Sequence, residues 1–160
     1  DVVSKNGNLL LSIPLRADGT FDDKEEKVIN GIGEWMAVNN ESIYGTRPWV
    51  IFGEGPIAES DIKINAQGFN EGAYTKATSE EIRFTQTKKH LYAIALAWPG
   101  DNKVTIKSLG KGSPHFSGRI GSVELVGYGK VPFKRTADGL VVTLPDNAAR
   151  SVAPVLRIKK

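Results

Sequence analysis

The sequence predicts a mostly β protein, an antiparallel β-sandwich preceded by one strand–helix unit. Three observations lead there. From about Trp49 onward the apolar residues recur with period two, and Gly, Pro, Asp and Asn punctuate them at short intervals. Asn8 to Ile13 is a nearly continuous apolar run, the kind that suits a strand buried on both faces. Between these, Lys24 to Val38 follows the helical period.

Taken in order, the Asn8–Ile13 strand leads to an Asp18-Gly19 turn. Asp22 and Asp23 then offer an N-cap, and the carboxylates there complement the helix dipole. Val28, Ile32, Trp35 and Met36 fall on one stripe of the helix, which needs a surface to cover it. Gly31 and Gly33 cost roughly 1 kcal/mol each against Ala and suggest close packing. Asn39-Asn40 ends the helix. Strands follow at Ile82–Thr85, Leu91–Trp98, Lys103–Leu109, Ile120–Tyr128, Phe133–Thr136, Leu140–Leu144 and Val155–Ile158. Within the second of these, Tyr92, Ile94, Leu96 and Trp98 share one face and read as core, with Ala93, Ala95 and Ala97 on the other. Pro99 to Asn102 is a turn, and Ala137-Asp138-Gly139 signals a hairpin. Residues 53–80 read as a long loop.

The chain has 160 residues, a formal net charge of +3 and no cysteine. One good core, or one domain with an appendage, fits that length. Disulfides and thiolate metal sites are excluded. Basic and acidic residues alternate, as in Asp22 to Lys27, so no phosphate-binding stripe is evident and nucleic acid is not an expected partner. No apolar run approaches the ~20 residues that span a bilayer, and a membrane is not expected either. The first residue is Asp1 rather than Met, and the chain is expected to be a piece of a longer polypeptide.

Few side chains suggest chemistry. Asp22, Asp23, Glu25 and Glu26 read as caps and dipole partners rather than an acid–base pair. Glu34 reads as an exposed helix-face residue. His90 and His115 lack the neighbours of a metal site, and His115, in a Gly-rich loop, is the better candidate to touch a ligand. Asp61, Asn65 and Asn70 carry oxygens without the ordered spacing of a Ca²⁺ loop. Trp49, Phe52, Tyr74, Tyr92 and Trp98 could form a sugar-stacking platform. The simpler reading puts Tyr92 and Trp98 in the core, and Trp49 and Phe52 in a joint between domains. No metal or cofactor is assigned.

Four segments together resemble the α-L-fucosidases of glycoside hydrolase family 29. They are Lys5 to Leu11, the Arg16-Ala17-Asp18-Gly19-Thr20 turn, Ile32-Gly33-Glu34-Trp35, and Asn40 to Trp49 with its Tyr44-Gly45-Thr46-Arg47-Pro48-Trp49. Ile82 to Thr85 and Leu91 to Pro99 are similar to the first strands of that family's C-terminal sandwich. The resemblance implies that residues 1–48 are the last strand and helix of a catalytic (β/α)₈ barrel with its linker. Residues 49–160 would then be the C-terminal antiparallel β-sandwich. One departure is Ser12-Ile13-Pro14-Leu15, where many members carry Asn followed by Gly-Pro. It leaves subgroup substrate preference open.

The resemblance also implies a retaining mechanism for the parent enzyme. An Asp attacks the anomeric carbon while a second carboxylic acid, ~5–5.5 Å away, protonates the leaving oxygen. None of the motifs carrying those groups occurs here, so no catalytic residue is assigned and the chain is expected to brace the barrel. Active sites gather at the C-terminal ends of barrel strands. Arg16 and Asp18 leave such an end and become candidates for the rim of the sugar site, with Trp49 and His115 as candidate sugar contacts. The implied partners are a fucosylated glycan, reached through the parent enzyme, the missing barrel, and a further copy in an oligomer. The implied compartment is secreted, periplasmic or lysosomal. The alternative is a stand-alone carbohydrate-binding or structural sandwich.

Overall fold

The computed structural model describes residues 1–60 and 77–160. The expectations attached to Tyr74, Asp61, Asn65 and Asn70 lie outside these residues. Nine strands are present among them: β1 (Arg47–Glu54), β2 (Ile82–Gln86), β3 (His90–Ala95), β4 (Lys103–Ile106), β5 (Ser122–Leu125), β6 (Gly129–Lys130), β7 (Phe133–Arg135), β8 (Leu140–Thr143) and β9 (Val155–Lys159). They form a six-stranded sheet in the order β1-β2-β3-β9-β5-β6 and a three-stranded sheet in the order β4-β8-β7. Every pairing is antiparallel. One helix, α1 (Asp23–Asn39), precedes them.

The main core lies between the sheets. Ile82, Phe84, Leu91, Ala93, Leu156 and Ile158 point into it from the larger sheet, and Val104, Ile106, Leu140 and Val142 meet them from the smaller one. Full burial of each large apolar side chain contributes roughly 1.5–3 kcal/mol. Asp138-Gly139 turns β7 into β8 as expected, with Arg135 opposite Leu140.

Strand β3 corrects the sequence reading of its two faces. The small residues Ala93 and Ala95 face the inter-sheet core, while Tyr92 and Ile94 face outward and are buried with Val155 beneath Trp35 and Ile43. Period two distinguishes two faces but does not say which element covers each. Trp98 leaves the Tyr92 face altogether. It packs against the main core, and its Nε1 donates to Asn102 Oδ1 at 2.8 Å.

Helix α1 starts as its sequence dictates. The Asp22 carboxylate accepts from Lys24 N at 2.9 Å, and Asp23, Glu25 and Glu26 fill the first turn. Trp35 anchors the helix, its Nε1 donating to Ala153 O at 2.8 Å. The C-terminal end of α1 sits close to Gly127, where a Cβ would meet Val38 Cγ1 at 2.5 Å and φ is +81°. Met36 is half-buried, but the N-terminal part of the stripe finds no cover: Val28 is 55% and Ile32 46% exposed, and Gly31 and Gly33 face open space.

The expected strand at Asn8–Ile13 does not form. Leu9 is 68% and Leu10 97% exposed, and the only local pairing is an isolated antiparallel bridge between Leu15 and Phe21. A strand needs neighbours to take its backbone hydrogen bonds, and none of the described strands pairs with Asn8–Ile13. The first residues, by contrast, are held. A short turn at Val3–Lys5 lies against β1 and β2, and the Asp1 carboxylate accepts from Arg83 Nε at 2.6 Å and pairs with Lys5 at 2.9 Å.

Candidate functional site

Two constellations contain the residues singled out in the sequence. The first is the turn joining the Asn8–Pro14 segment to α1. Arg16 N donates to Thr20 O at 2.8 Å and Gly19 N to Arg16 O at 2.9 Å, closing a tight loop with Gly19 at φ +83°. Asp18 Oδ1 accepts from Thr20 N at 3.0 Å and Thr20 Oγ1 at 2.7 Å. The bond from the Thr20 backbone, then that from its hydroxyl, holds the Asp18 carboxyl below the usual range. Arg16 reaches Asp23 at 3.0 Å and Asp22 at 3.5 Å. Both residues are exposed, and turn chemistry accounts for each bond they make.

The second constellation surrounds Trp49 and His115. Trp49 is buried on β1, its ring edge-on to Phe84 at 4.9 Å, and belongs to the inter-sheet core. His115 is exposed and stands edge-on to Trp49 at 6.4 Å. Arg135 organises the loop that carries it, through four bonds to main-chain oxygens: Nε to Leu109 O at 2.7 Å, Nη1 to Gly118 O at 2.7 Å, and Nη2 to Phe116 O at 2.8 Å and Gly110 O at 3.1 Å. At the other end, the buried Glu54 carboxylate accepts from Lys107 N at 2.7 Å and Ser108 N at 2.8 Å. Glu54, Lys107 and Ser108 line a recess of about 490 Å³, together with Glu59, Lys111 and His115. Among the described residues, no hydrogen bond or ion pair joins this recess to the Arg16–Asp18 turn.

Phe52 lies with the N-terminal segment, its ring beneath Lys5 Nζ at 4.6 Å and beside the Arg83 guanidinium at 5.7 Å. Behind it runs an ion-pair chain that the sequence reading missed. Arg83 Nη1 donates to Glu81 Oε2 at 3.1 Å, and Glu81 in turn accepts from the backbone N–H groups of Ile57 and Ala58. Both partners are buried, and Gly53 makes room for them, since a Cβ there would meet Ile82 O at 2.5 Å and Arg83 Cδ at 2.9 Å. The signal in the sequence was the charged pair Glu81/Arg83 flanking apolar Ile82, but only the fold shows that both are covered. His90, on β3, lies edge-on to Tyr92 at 6.3 Å, and Lys88, Lys89, Lys159 and Lys160 gather around it.

Comparison with known proteins decides the family. The model of the α-L-fucosidase C-terminal domain matches residues 75–159, more than half of the chain. The chain belongs to the α-L-fucosidase family. A second family model, α-L-fucosidase, matches residues 1–41, in line with the expected barrel remnant. An α-L-fucosidase of Branchiostoma floridae is 26% identical over 99% of this chain and 30% of its own length. The plasma α-L-fucosidase of Rattus norvegicus is 29% identical over 91% of this chain and 27% of its own. The crystal structure of Thermotoga maritima α-fucosidase superposes with a TM-score of 0.67 at 27% identity, covering 98% of this chain and 32% of that one. The chain therefore spans about a third of the length of the fucosidases it matches. The sandwich described above is the C-terminal domain of this family.

Proposed function

We propose that this chain acts as the C-terminal part of a larger α-L-fucosidase, bracing its catalytic barrel and contributing no catalytic carboxylate. The observation that carries the reading is the apolar surface left open on the stretch matched by the α-L-fucosidase model. Leu9, Leu10, Leu11, Val28 and Ile32 are all exposed there. Burying each would contribute roughly 1.5–3 kcal/mol, a large gain awaiting a partner surface. Neighbouring barrel strands would take the backbone of Asn8–Ile13, and neighbouring helices would cover Val28 and Ile32. The ion pair from Asp1 to Arg83 would tie the entry of that strand to the sandwich. In this arrangement the Arg16–Asp18 turn leaves the strand's C-terminal end, where sugar-site rims lie. The parent would hydrolyse α-L-fucosides of glycans. We put the division at residues 48/49, within the first residues of β1.

The isolated chain tests this through its open surface. A hydrophobic dye should bind, and Val28→Lys/Ile32→Lys should weaken dye binding while leaving the thermal midpoint within about 2 °C of the parent. A chain that excludes the dye, or that loses its fold when these two positions are charged, has no such open surface, and the reading fails.

A further inference from the structure

The outer face of the six-stranded sheet is divided in two. Helix α1 and the turn after it cover the part over Tyr92, Ile94 and Val155. Beyond them the same face continues with His90 on β3, Lys159 on β9 and Ser122 on β5, paired in register across the strands. Lys88 and Lys89 form the β2–β3 turn beside it, Arg47 opens β1 opposite Gln86, and Lys130 stands on β6 opposite Glu124. The sheet order thus brings to one end cations that lie far apart in the sequence. From β3 to β5 the row crosses two strand spacings, about 10 Å, and Arg47 reaches the same end from the other face of the sheet, since its partner Gln86 pairs with core-facing Leu91.

Two recesses, of about 720 and 450 Å³, open along this end and share Lys89 and His90. Glu124 is the only carboxylate side chain lining either one among the described residues, and it is already engaged by Arg157. Arg157 also bonds Glu41, at 2.9 Å, and Lys160 Nζ is occupied by Gln86 Oε1 at 2.8 Å and Thr87 O at 3.2 Å. Arg47, Lys88, Lys89, Lys130 and Lys159 are all exposed, and among the described residues none has an ion-pair partner. Five unneutralised cations on a chain whose formal net charge is +3 make this end a local positive field, which concentrates anions.

We propose that this sheet end binds an acidic glycan through its sulfate groups. Single-stranded nucleic acid would want exposed aromatic faces in series. Here the aromatic ring on the sheet face, Tyr92, is buried, and among the described residues no Phe, Tyr or Trp lines either recess. Several cations without a stacking platform suit the anionic substituents of a glycan better than a run of bases. The inference goes beyond the fucosidase reading and does not depend on hydrolysis, so the two can fail separately.

The test is titration of the 160-residue chain at low salt with a heparin oligosaccharide, its desulfated counterpart, and a single-stranded DNA oligonucleotide of equal charge. The sulfated probe binds, and the other two bind at least about tenfold more weakly. Lys88→Ala/Lys89→Ala/Lys159→Ala weakens heparin binding by about tenfold or more and lowers the log–log salt slope by about two. Lys24→Ala/Lys27→Ala on α1 leaves both unchanged, and circular dichroism confirms that each variant is folded. Failure to bind heparin, equal binding by the triple-lysine variant, or equal affinity for either control probe overturns the proposal.

Discussion

Replacing Arg83 by Met probes the buried ion pair with Glu81. The Arg83 and Glu81 side chains are 5% and 1% exposed, and Arg83 also carries the Asp1 carboxylate. Removing one partner of a buried pair costs about 3–5 kcal/mol, because the other charge is left behind. Glu81 keeps the backbone N–H groups of Ile57 and Ala58, which places the expected loss near the low end, about 3 kcal/mol. At this chain length, each kcal/mol moves the midpoint by about 2–4 °C, so Arg83→Met should melt about 6–12 °C lower. The assay is thermal and urea unfolding of the wild type, Arg83→Met, Glu81→Gln and the double variant. The double variant should recover part of the loss, with a coupling of about 1–3 kcal/mol. A single-variant cost below about 1 kcal/mol, or strictly additive costs, would refute the claim that these charges stabilise each other in a buried site.

Three further outcomes follow from the same geometry. Gly127→Ala should cost about 1–2 kcal/mol through its left-handed φ alone, with more from the contact with Val38, and a midpoint unchanged from wild type would show that α1 does not close on that turn. Arg135→Met should unpin four carbonyls and speed amide exchange across residues 109–118, and unaltered exchange there would count against the clamp. The Glu124 carboxyl is lowered chiefly by its hydrogen bond from Arg157, and Asp18 by its bonds from Thr20. A folded carboxylate below its unfolded value stabilises above the ordinary carboxylate range, and that contribution is lost as pH falls through the folded value. Stability should therefore decline on acidification, and Glu124→Gln should flatten part of the decline. An identical acid limb in that variant would contradict the assignment.

Local signals were legible in the sequence, and partners were not. Helix α1 was readable because the Asp22 cap and the apolar period lie within one segment, and the β7–β8 hairpin because Asp138-Gly139 lies at its turn. The alternation of β3 gave its two faces, but the small Ala93 and Ala95 looked like the outer one, since nothing local shows that a second sheet fits against them. Asn8–Ile13 is apolar enough for a buried strand, but none of the described strands pairs with it. The long-loop reading began too early, because β1 runs to Glu54. Lys88-Lys89 and Lys159-Lys160 are visible as doublets, yet their meeting depends on the β3–β9 register, which links residues about seventy positions apart. The four candidate contact residues separate into an exposed turn, Arg16 and Asp18, and a core-edge pair, Trp49 and His115.

The central claim is that this chain supports a fucosidase without containing its chemistry. The most direct test is hydrolysis of an aryl α-L-fucoside by the 160-residue chain, shown by mass spectrometry to be free of any other polypeptide. The account predicts no turnover above the uncatalysed rate. Turnover that co-purifies with the single 17.4 kDa species would contradict it and place catalytic carboxyls within this chain.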